Sequence, residues 1–549
     1  MPHRLRRIAP LFAIAVALVV TLNASAAKSP NNCDSQINDT AARLLPCVTQ
    51  SDLTGYMNDF WKIALAHPSP ADGHPSRNSG EPGYKASADY VAALMQQWGY
   101  DVRLQRYTFP YFAYKSTPTL SESSPTAKKF ILNEDFTTGQ SLGSTTSAKV
   151  QPAGGIVIPP TNTPSSSSGC TSADFVGFTA GHIALIQRGS CNFGVKVLNA
   201  ESAGASAVII FNEGNPTPTG RIGLLGGSIE DANDQVFVPR IPVAFTTFAI
   251  GETLYNDYRA NTAAVMSFTI NALYNANADD WNVVADSKGG DPNHVLVIDA
   301  HLDAIYGAGM LDNASGSATI LDLARMMRNV TPVNKLRFIW FGGEELGLLG
   351  SHYYVTTLSS NELNHIGYDL DADVTSTPNY TLGILDPAGP DFFGGTSSTQ
   401  FPNRVYKASV IARDSGADYL TSQGYNHEYF SPVGTDAFEF NLAGIPASGV
   451  LTGQDCCKTQ REVDLFGGTV GNFEGNLGTF DGGCVDNAFV WCDNLVNNDF
   501  GIMTLVSRTF ASMALRMAFD TKVMSASGSV VYNKNLAIAG EAGRHFKAQ

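Results

Sequence analysis

Apolar side chains recur at helical spacing in two stretches near the start of the chain, at residues 56–63 and 90–95. An apolar residue at every third or fourth position predicts an amphipathic helix, so we expect one helix in each stretch. A strand-like run follows at residues 102–112. Between the two helices, residues 67–84 are rich in Pro, Gly and Ser and predict a surface loop.

A different pattern begins after residues 159–169, where Pro, Thr and Ser dominate and predict an exposed loop early in an inserted module. Short apolar runs at 183–186 and 207–211 predict two buried strands. The residues between them, at 195–203, have helical spacing. This order of strand, helix and strand predicts a small α/β unit.

Longer units of the same kind follow residue 281. Apolar strands are predicted at 295–300 and 336–341, on either side of an amphipathic helix at 318–327. Continuously apolar strands separated by a helix are typical of parallel sheets that are covered on both faces. The predicted fold class is therefore α/β, with a mainly parallel sheet flanked by helices.

Composition and charge narrow the classes of partner. Of the 549 residues, 44% are hydrophobic and only 15% are charged, which allows large cores and argues against a disordered chain. The formal net charge is −15, and the sequence has no run rich in Lys and Arg. We therefore expect neither nucleic acid nor an anionic membrane surface as a partner.

The first 26 residues have the layout of a secretory signal peptide. A basic start ends at Arg7, residues 8–22 are apolar, and residues 24–26 are small enough for a cleavage site. A single-pass anchor is the competing interpretation, but the apolar run is short for a bilayer span. We expect a secreted or periplasmic protein that is a monomer.

The eight cysteines fit an oxidising compartment, since an even number in an exported protein predicts disulfide bonds. Proximity in sequence favours the pairs Cys33–Cys47 and Cys170–Cys191. The remaining four, Cys456, Cys457, Cys484 and Cys492, have three possible pairings, among which the sequence does not decide.

Imidazole and carboxylate side chains follow the ends of the predicted strands. In an open α/β sheet, ligands bind beyond the carboxyl ends of the strands, so these side chains are expected at one edge. Clustered carboxylates repel one another unless a cation is present, and imidazole with carboxylates suits zinc. The candidates are His301, Asp303, Asp312, Glu344, Glu345, Asp371 and Asp373.

Part of the inserted module resembles the protease-associated (PA) domain, over about residues 148–270. The resemblance implies a domain rich in β-strands that serves as a lid or positions substrate and carries no catalytic residue. The residues that carry it are Gly169-Cys170, Asp174-Phe175, Gly177-Phe178, Ile183-Ala184-Leu185-Ile186, Arg188-Gly189, Cys191, Phe193, Lys196-Val197 and Ala203-Gly204-Ala205.

The rest of the chain, at residues 45–135 and 271–520, resembles the co-catalytic dizinc aminopeptidases, a family that includes glutamate carboxypeptidase. The motifs HLDA at 301–304, GMLDNASG at 309–316 and EELGLLGS at 344–351 carry this resemblance. It implies a hydrolase in which two divalent metal ions, expected to be zinc, activate a water that attacks the peptide bond.

The resemblance also implies a role for each candidate. His301 binds one metal, Asp312 bridges both, and Asp303 orients the His301 ring. Glu345 binds the other metal, and Glu344 is the general base. Asp373 matches the remaining carboxylate ligand, with Asp371 as the alternative.

One motif departs from the family. Its last ligand is a His in a Cys-Tyr-His motif, where this chain has Cys484-Val485-Asp486. Asp486 is expected to replace the imidazole, which would make the second site more tolerant of manganese. Alternatively, His427 reaches in, or the second metal is weak or lost.

The sequence thus predicts a secreted, metal-dependent exopeptidase that removes N-terminal residues from peptides. The alternative is a catalytically impaired relative that binds peptides without cleaving them. The expected division of the chain is a signal peptide at 1–26, the first part of the peptidase domain at 27–147, a PA-like domain at 148–270, the catalytic domain at 271–525 and a tail at 526–549.

Overall fold

The computed structural model describes residues 32–216, 220–305, 307–390, 401–453, 458–471, 483–484, 487–491 and 493–529, without the side chains of 483–484, 487–491 and 527–529. The predicted signal peptide, Asp486 and the cysteines at 456, 457 and 492 lie outside these residues, as does most of the predicted tail.

The described residues form helices along most of the chain. In chain order they are α1 Ala41–Leu44, α2 Gln50–Ala66, α3 Pro82–Gln97, α4 Phe193–Ser202, α5 Phe248–Arg259, α6 Ala314–Met327, α7 Leu349–Thr357, α8 Ser360–His365, α9 Asn403–Ser422, α10 Ala437–Ala443, α11 Gln460–Phe466 and α12 Phe500–Ala518.

The strands of the described residues belong to two large sheets and one short hairpin. In chain order they are β1 Asp101–Tyr114, β2 Thr119–Ser124, β3 Lys128–Phe130, β4 Phe136–Thr138, β5 Gly143–Pro152, β6 Ile183–Gln187, β7 Ala207–Phe211, β8 Val243–Thr246, β9 Val265–Ile270, β10 Ala272–Asp286, β11 Asp291–His301, β12 Asn334–Phe341, β13 Ile366–Ala372, β14 Gly383–Leu385, β15 Glu428–Phe430, β16 Ala447–Leu451, β17 Gly483–Cys484 and β18 Asn487–Trp491.

The main sheet has the strand order β1-β10-β12-β11-β13-β16-β14-β15. Its centre is parallel, because β11 pairs in parallel with both β12 and β13, and β13 pairs in parallel with β16. Alternate residues of β11 point to opposite faces: Leu296 and Ile298 pack with α2, α3, α6 and α12, whereas Val295 and Val297 pack with α7, α8 and α10. The continuous apolar run of β11 therefore reflects helices on both faces, as the sequence predicted.

Along the chain, the strands of the second sheet all fall between β1 and β10 of the main sheet. Its strand order is β3-β2-β9-β5-β6-β7-β8-β4, and β6, β7 and β8 are parallel neighbours. Both faces of β6 are covered, with Ile183 in one apolar cluster and Ala184 in another. The predicted strand–helix–strand unit is present as β6, α4 and β7. The sheet also includes β2, β3 and β4, which precede residue 148, where the sequence analysis begins the inserted module.

The chain leaves the main sheet at the end of β1 and returns to it at the start of β10. These strands form an antiparallel ladder whose last pair is Tyr114 and Ala272, and the Lys115 amide donates a 2.8 Å hydrogen bond to the Asn271 carbonyl. The second sheet is therefore an insertion at the tip of a two-stranded ribbon.

The described residues contain the disulfide bonds Cys33–Cys47 and Cys170–Cys191, as the spacing of these cysteines predicted. None of the described helices is both long and apolar enough to cross a membrane.

The prediction of a surface loop at residues 67–84 is wrong. The third helix already begins at Pro82, and Ser76, Arg77, Ser79 and Glu81 are buried. Their polar groups are satisfied internally. The hydroxyls of Ser69 and Ser76 donate to Glu81, for example, and polar groups paired in this way are compatible with burial.

Candidate metal centre

The parallel strands β11, β12 and β13 end at one edge of the main sheet, and the residues that follow them meet there. β11 ends at His301, which is paired with Phe341 at the end of β12. Asp373 follows the last residue of β13. The expectation that these strand ends carry a common site matches this topology.

Three side chains converge at this edge. Within the described residues, His301, Asp312 and Asp373 offer ligand atoms that all lie within 4.8 Å of one another. His301 Nε2 is 2.9 Å from an Asp312 oxygen and 3.2 Å from an Asp373 oxygen. The His301 side chain is 2% exposed, and those of Asp312 and Asp373 are 16% and 15% exposed, so the imidazole is buried and the two carboxylates are partly accessible to solvent.

Asp303 lies on the other side of the imidazole. One of its oxygens is 3.4 Å from His301 Nδ1 and accepts a 3.2 Å hydrogen bond from the Glu344 backbone amide. Asp303 is fully buried. A carboxylate in this place fixes the orientation of the ring and leaves Nε2 directed at Asp312 and Asp373.

Glu344 is the fourth carboxyl group around this imidazole. Its carboxylate lies 3.9 Å from His301 Nε2, and its side chain is 9% exposed. Burial raises the pKa of Glu344 well above the usual range, and the charges of Asp373 and Asp436 raise it further against the opposing effect of His301.

The surrounding carboxylates also determine the direction in which the pKa of the imidazole shifts. Burial alone would lower the pKa of His301, but the charges of Glu344 and Asp373 and the hydrogen bonds of Asp303 and Asp312 raise it well above the usual value. The group therefore has excess negative charge that favours a positive partner.

The other predicted residues are placed differently. Asp371, the alternative to Asp373, accepts a 3.3 Å hydrogen bond from the Ala437 amide, and burial followed by the charge of Asp373 raises its pKa to about 7. Glu345 is half-buried and lies outside the group of three. His427 Nε2 is 3.3 Å from the Tyr429 hydroxyl, beside the edge strand β15. Asp486 is not among the described residues.

Two charged residues that the sequence did not predict as part of the site hold the loop between His301 and Asp312. Arg77 is fully buried and donates from all three guanidinium nitrogens, to the carbonyls of Leu302, Ala308 and Gly309. Burial lowers the pKa of Arg77 to about 10, although Asp493 and Asp303 partly counter this effect.

Asp493 holds the same loop from a second side. Its two carboxylate oxygens accept hydrogen bonds of 2.5 and 2.6 Å from the amides of Gly309 and Met310.

Arg77 lies within a Pro- and Gly-rich stretch, and no feature of the sequence there distinguishes a buried Arg from a solvated one. Only the three-dimensional structure identifies it.

The donor set fits a divalent cation. One imidazole nitrogen and carboxylate oxygens within reach of one another are typical zinc ligands, and carboxylates also suit manganese. Burial and mutual repulsion of the carboxylates raise the pKa values of Glu344 and Asp371, and a cation would neutralise these carboxylates.

Comparison with known proteins identifies the families to which the two parts of the chain are similar. Residues 282–466 match peptidase family M28, and residues 153–254 match the PA domain. The chain is 32% identical over 516 residues to an aminopeptidase of Pseudomonas aeruginosa, with 92% of this chain and 89% of that protein covered. It is 28% identical over 438 residues to a probable leucine aminopeptidase 2 of Trichophyton verrucosum, covering 78% and 79% of the two chains.

Among solved structures, an aminopeptidase from Aneurinibacillus sp. strain AM-1 has a similar fold. The TM-score is 0.55 at 22% identity, with 90% of this chain and 98% of that chain covered. The matches extend over both sheets, as the resemblances in the sequence implied. The chain therefore belongs to peptidase family M28 and carries a PA domain inserted between two strands of its peptidase sheet.

Proposed function

We propose that the protein is a secreted, zinc-dependent aminopeptidase that removes N-terminal residues from peptides. The observation that carries the proposal is the convergence of His301, Asp312 and Asp373 at the carboxyl edge of the sheet, with Glu344 beside them. The P. aeruginosa relative bears the name aminopeptidase and is similar over nearly the whole chain, which supports this activity.

The ligands proposed for the first ion are supported by the geometry, and those proposed for the second follow from the family resemblance. His301, Asp312 and Asp373 would hold the first ion, and Glu345 with Asp486 would complete a second site. A bound divalent ion in such a site polarises the scissile carbonyl and lowers the pKa of a water toward neutrality. Asp303 keeps the His301 ring in place from the Nδ1 side.

Glu344 would act as the general base. Its carboxylate takes a proton from the attacking water and then passes it to the nitrogen of the departing peptide, so it is regenerated in each turnover. A carboxyl group whose pKa is raised by burial holds that proton more readily than an exposed one.

Secretion is supported by the two disulfide bonds, because such bonds persist in oxidising compartments. The signal peptide predicted at residues 1–26 supplies the route. The proposed substrates are peptides with a free N-terminus, and leucine is the first side chain to test because the T. verrucosum relative is named for it.

The test compares wild type with Glu344→Gln, using hydrolysis of leucine p-nitroanilide and metal content per chain. Loss of the base is expected to lower kcat by about 10²- to 10⁴-fold with the metal content unchanged. A chelator should abolish wild-type activity, and added zinc should restore it. Glu134→Gln, at an exposed position in the inserted domain, is the matched control and should retain full activity.

Two results would contradict the proposal. Full activity in the chelator would exclude a metal-dependent reaction, and a wild-type rate in Glu344→Gln would exclude this base. Peptide binding without turnover would instead support the peptide-binding relative.

A further inference from the structure

Two of the clustered carboxylates reach His301 from different elements. Asp312 belongs to the loop before α6, whereas Asp373 follows the end of β13. Both carboxylates lie outside the strands, in segments that are about sixty residues apart in sequence although β11 and β13 themselves are neighbours. The separation of the two carboxylates therefore depends on whatever joins the start of α6 to the residues after β13.

Asn313, the residue after Asp312, makes this connection. Its Nδ2 donates a 2.9 Å hydrogen bond to the Ala372 carbonyl, and its Oδ1 accepts a 3.1 Å bond from the Val374 amide. Ala372 and Val374 are the two neighbours of Asp373. The buried Asn313 side chain thus binds the backbone on both sides of Asp373. Asn313 is also covalently linked to Asp312, the residue before it.

The same contact region is tightly packed and polar. Ser315 Oγ accepts a 2.8 Å hydrogen bond from the Thr375 amide. A Cβ at Gly316 would lie 2.0 Å from the Ala372 carbonyl oxygen, so the helix approaches this turn as closely as a glycine permits. The first turn of α6 and residues 372–375 therefore form one packed unit.

We propose that Asn313 is a positioning residue that sets the spacing of the Asp312 and Asp373 carboxylates for a divalent cation. The inference rests on the proposed function, since it concerns the same metal site. Asn313 does not touch the cation in this proposal. It acts through the backbone of Asp373 and through its covalent link to Asp312.

A simpler role for Asn313 is that of a helix cap. Its Oδ1 also accepts a 2.8 Å hydrogen bond from the Gly316 amide, the usual contact of an asparagine at the start of a helix. Ser and Thr make the same capping contact, but they carry no amide that donates to Ala372. The serine variant therefore separates capping from positioning.

The experiment measures zinc affinity by competition with a chelator, and thermal unfolding of the metal-free protein, for wild type, Asn313→Ala and Asn313→Ser. We expect Asn313→Ser to recover most of the stability that Asn313→Ala loses. It should nevertheless bind zinc about 10- to 100-fold more weakly than wild type. Asn313→Thr follows the same logic if the serine variant does not fold.

Ser315→Ala is the matched control, because it removes the hydroxyl that links the Thr375 amide to the Leu311 carbonyl and leaves Asn313 intact. Its zinc affinity should stay within about threefold of wild type, below the range expected for lost support of a ligand. Equal losses in Ser315→Ala and Asn313→Ser would overturn the inference, since any contact to this turn would then suffice. Wild-type affinity in Asn313→Ser would overturn it as well.

The two proposals fail in different ways. A wild-type chain without affinity for zinc would overturn the proposed function and this inference together. Tight zinc binding by both the wild type and the serine variant would overturn this inference alone.

Discussion

Lys196 of the inserted domain is a buried cation with mostly neutral partners. It lies on α4, is fully buried, and donates to the backbone carbonyls of Ser168 and Gln187. Burial lowers its pKa to about 8, although Glu213 and Asp174 partly counter this effect. Its usual value is about 10.4.

This difference makes stability depend on pH. Below pH 8 the folded and unfolded chains both carry the proton, and the cost of burying the ammonium is present in full. Between about pH 8 and 10.4 Lys196 is protonated in the unfolded chain and neutral in the folded chain. The free energy of unfolding should therefore rise with pH, by about 3 kcal/mol in all.

Urea unfolding of the inserted domain, followed by pulse proteolysis between pH 7 and 10.5, measures this rise. It should be absent in Lys196→Met and unchanged in Lys149→Met, whose side chain is exposed. A rise in Lys196→Met equal to that of the wild type would assign it to other groups.

Some residues of the site could be predicted from the sequence and others could not. His301 was predicted because it follows an apolar strand, and Asp373 because it matches the remaining carboxylate ligand of the family it resembles. The roles of Arg77 and Asp493 depend on contacts with a loop more than one hundred residues away in sequence, and neither lies in a periodic pattern. The cap at Asn313 could have been found, since an Asn directly before an apolar helix is a start signal.

At the scale of elements, α6 combines two functions. Its inner face is buried against the sheet, and its first turn contacts the residues on either side of Asp373. Gly316 allows this contact, because any Cβ there would collide with the Ala372 carbonyl.

Gly316→Ala is therefore expected to destabilise the protein by about 1–3 kcal/mol, through displacement of the helix or the turn. It should also weaken zinc binding. Urea unfolding and chelator competition measure the two effects. Gly501→Ala, near the exposed start of α12, is the control and should be neutral or slightly stabilising. Equal stability of both variants would show that the helix end can shift without cost.

The elements predicted best are those with continuous apolar runs, such as β11, β12 and β6. Each is covered on both faces, and its run of apolar residues records that burial directly. Residues 67–84 were assigned wrongly because Pro, Gly and Ser report backbone conformation and not burial. Their burial comes from contacts distant in sequence, such as Arg77 with the Leu302 carbonyl and Glu81 with the Tyr111 hydroxyl, which composition does not reveal.

For the whole molecule, the position of the insertion predicts that the inserted domain can be removed without unfolding the main sheet. Tyr114 and Ala272 are paired neighbours, so replacing residues 115–271 by an Asn-Gly turn should leave the β1–β10 ladder closed. Phe112 and Tyr114 pack against the inserted domain, so its removal would expose their apolar rings to solvent. Both should be changed to Thr in the same chain.

This shortened chain should fold and bind zinc within about threefold of the full-length protein, since His301, Asp312 and Asp373 meet at the edge of the other sheet. Far-UV circular dichroism and chelator competition are the measurements. The separate fragment 116–270 is the complementary control and should fold by itself. Aggregation of the shortened chain, under conditions where the full chain is soluble, would show that the two parts depend on each other.

The ribbon formed by β1 and β10 also constrains the order of events as the chain leaves the ribosome. Its two strands are separated in sequence by the whole inserted domain, so pairing them from an unfolded chain means closing a very long loop. Once the insert has folded, its two ends lie side by side, and the remaining loop is short. We expect the insert to fold first during synthesis and to deliver β10 to β1, so that the catalytic sheet is completed last.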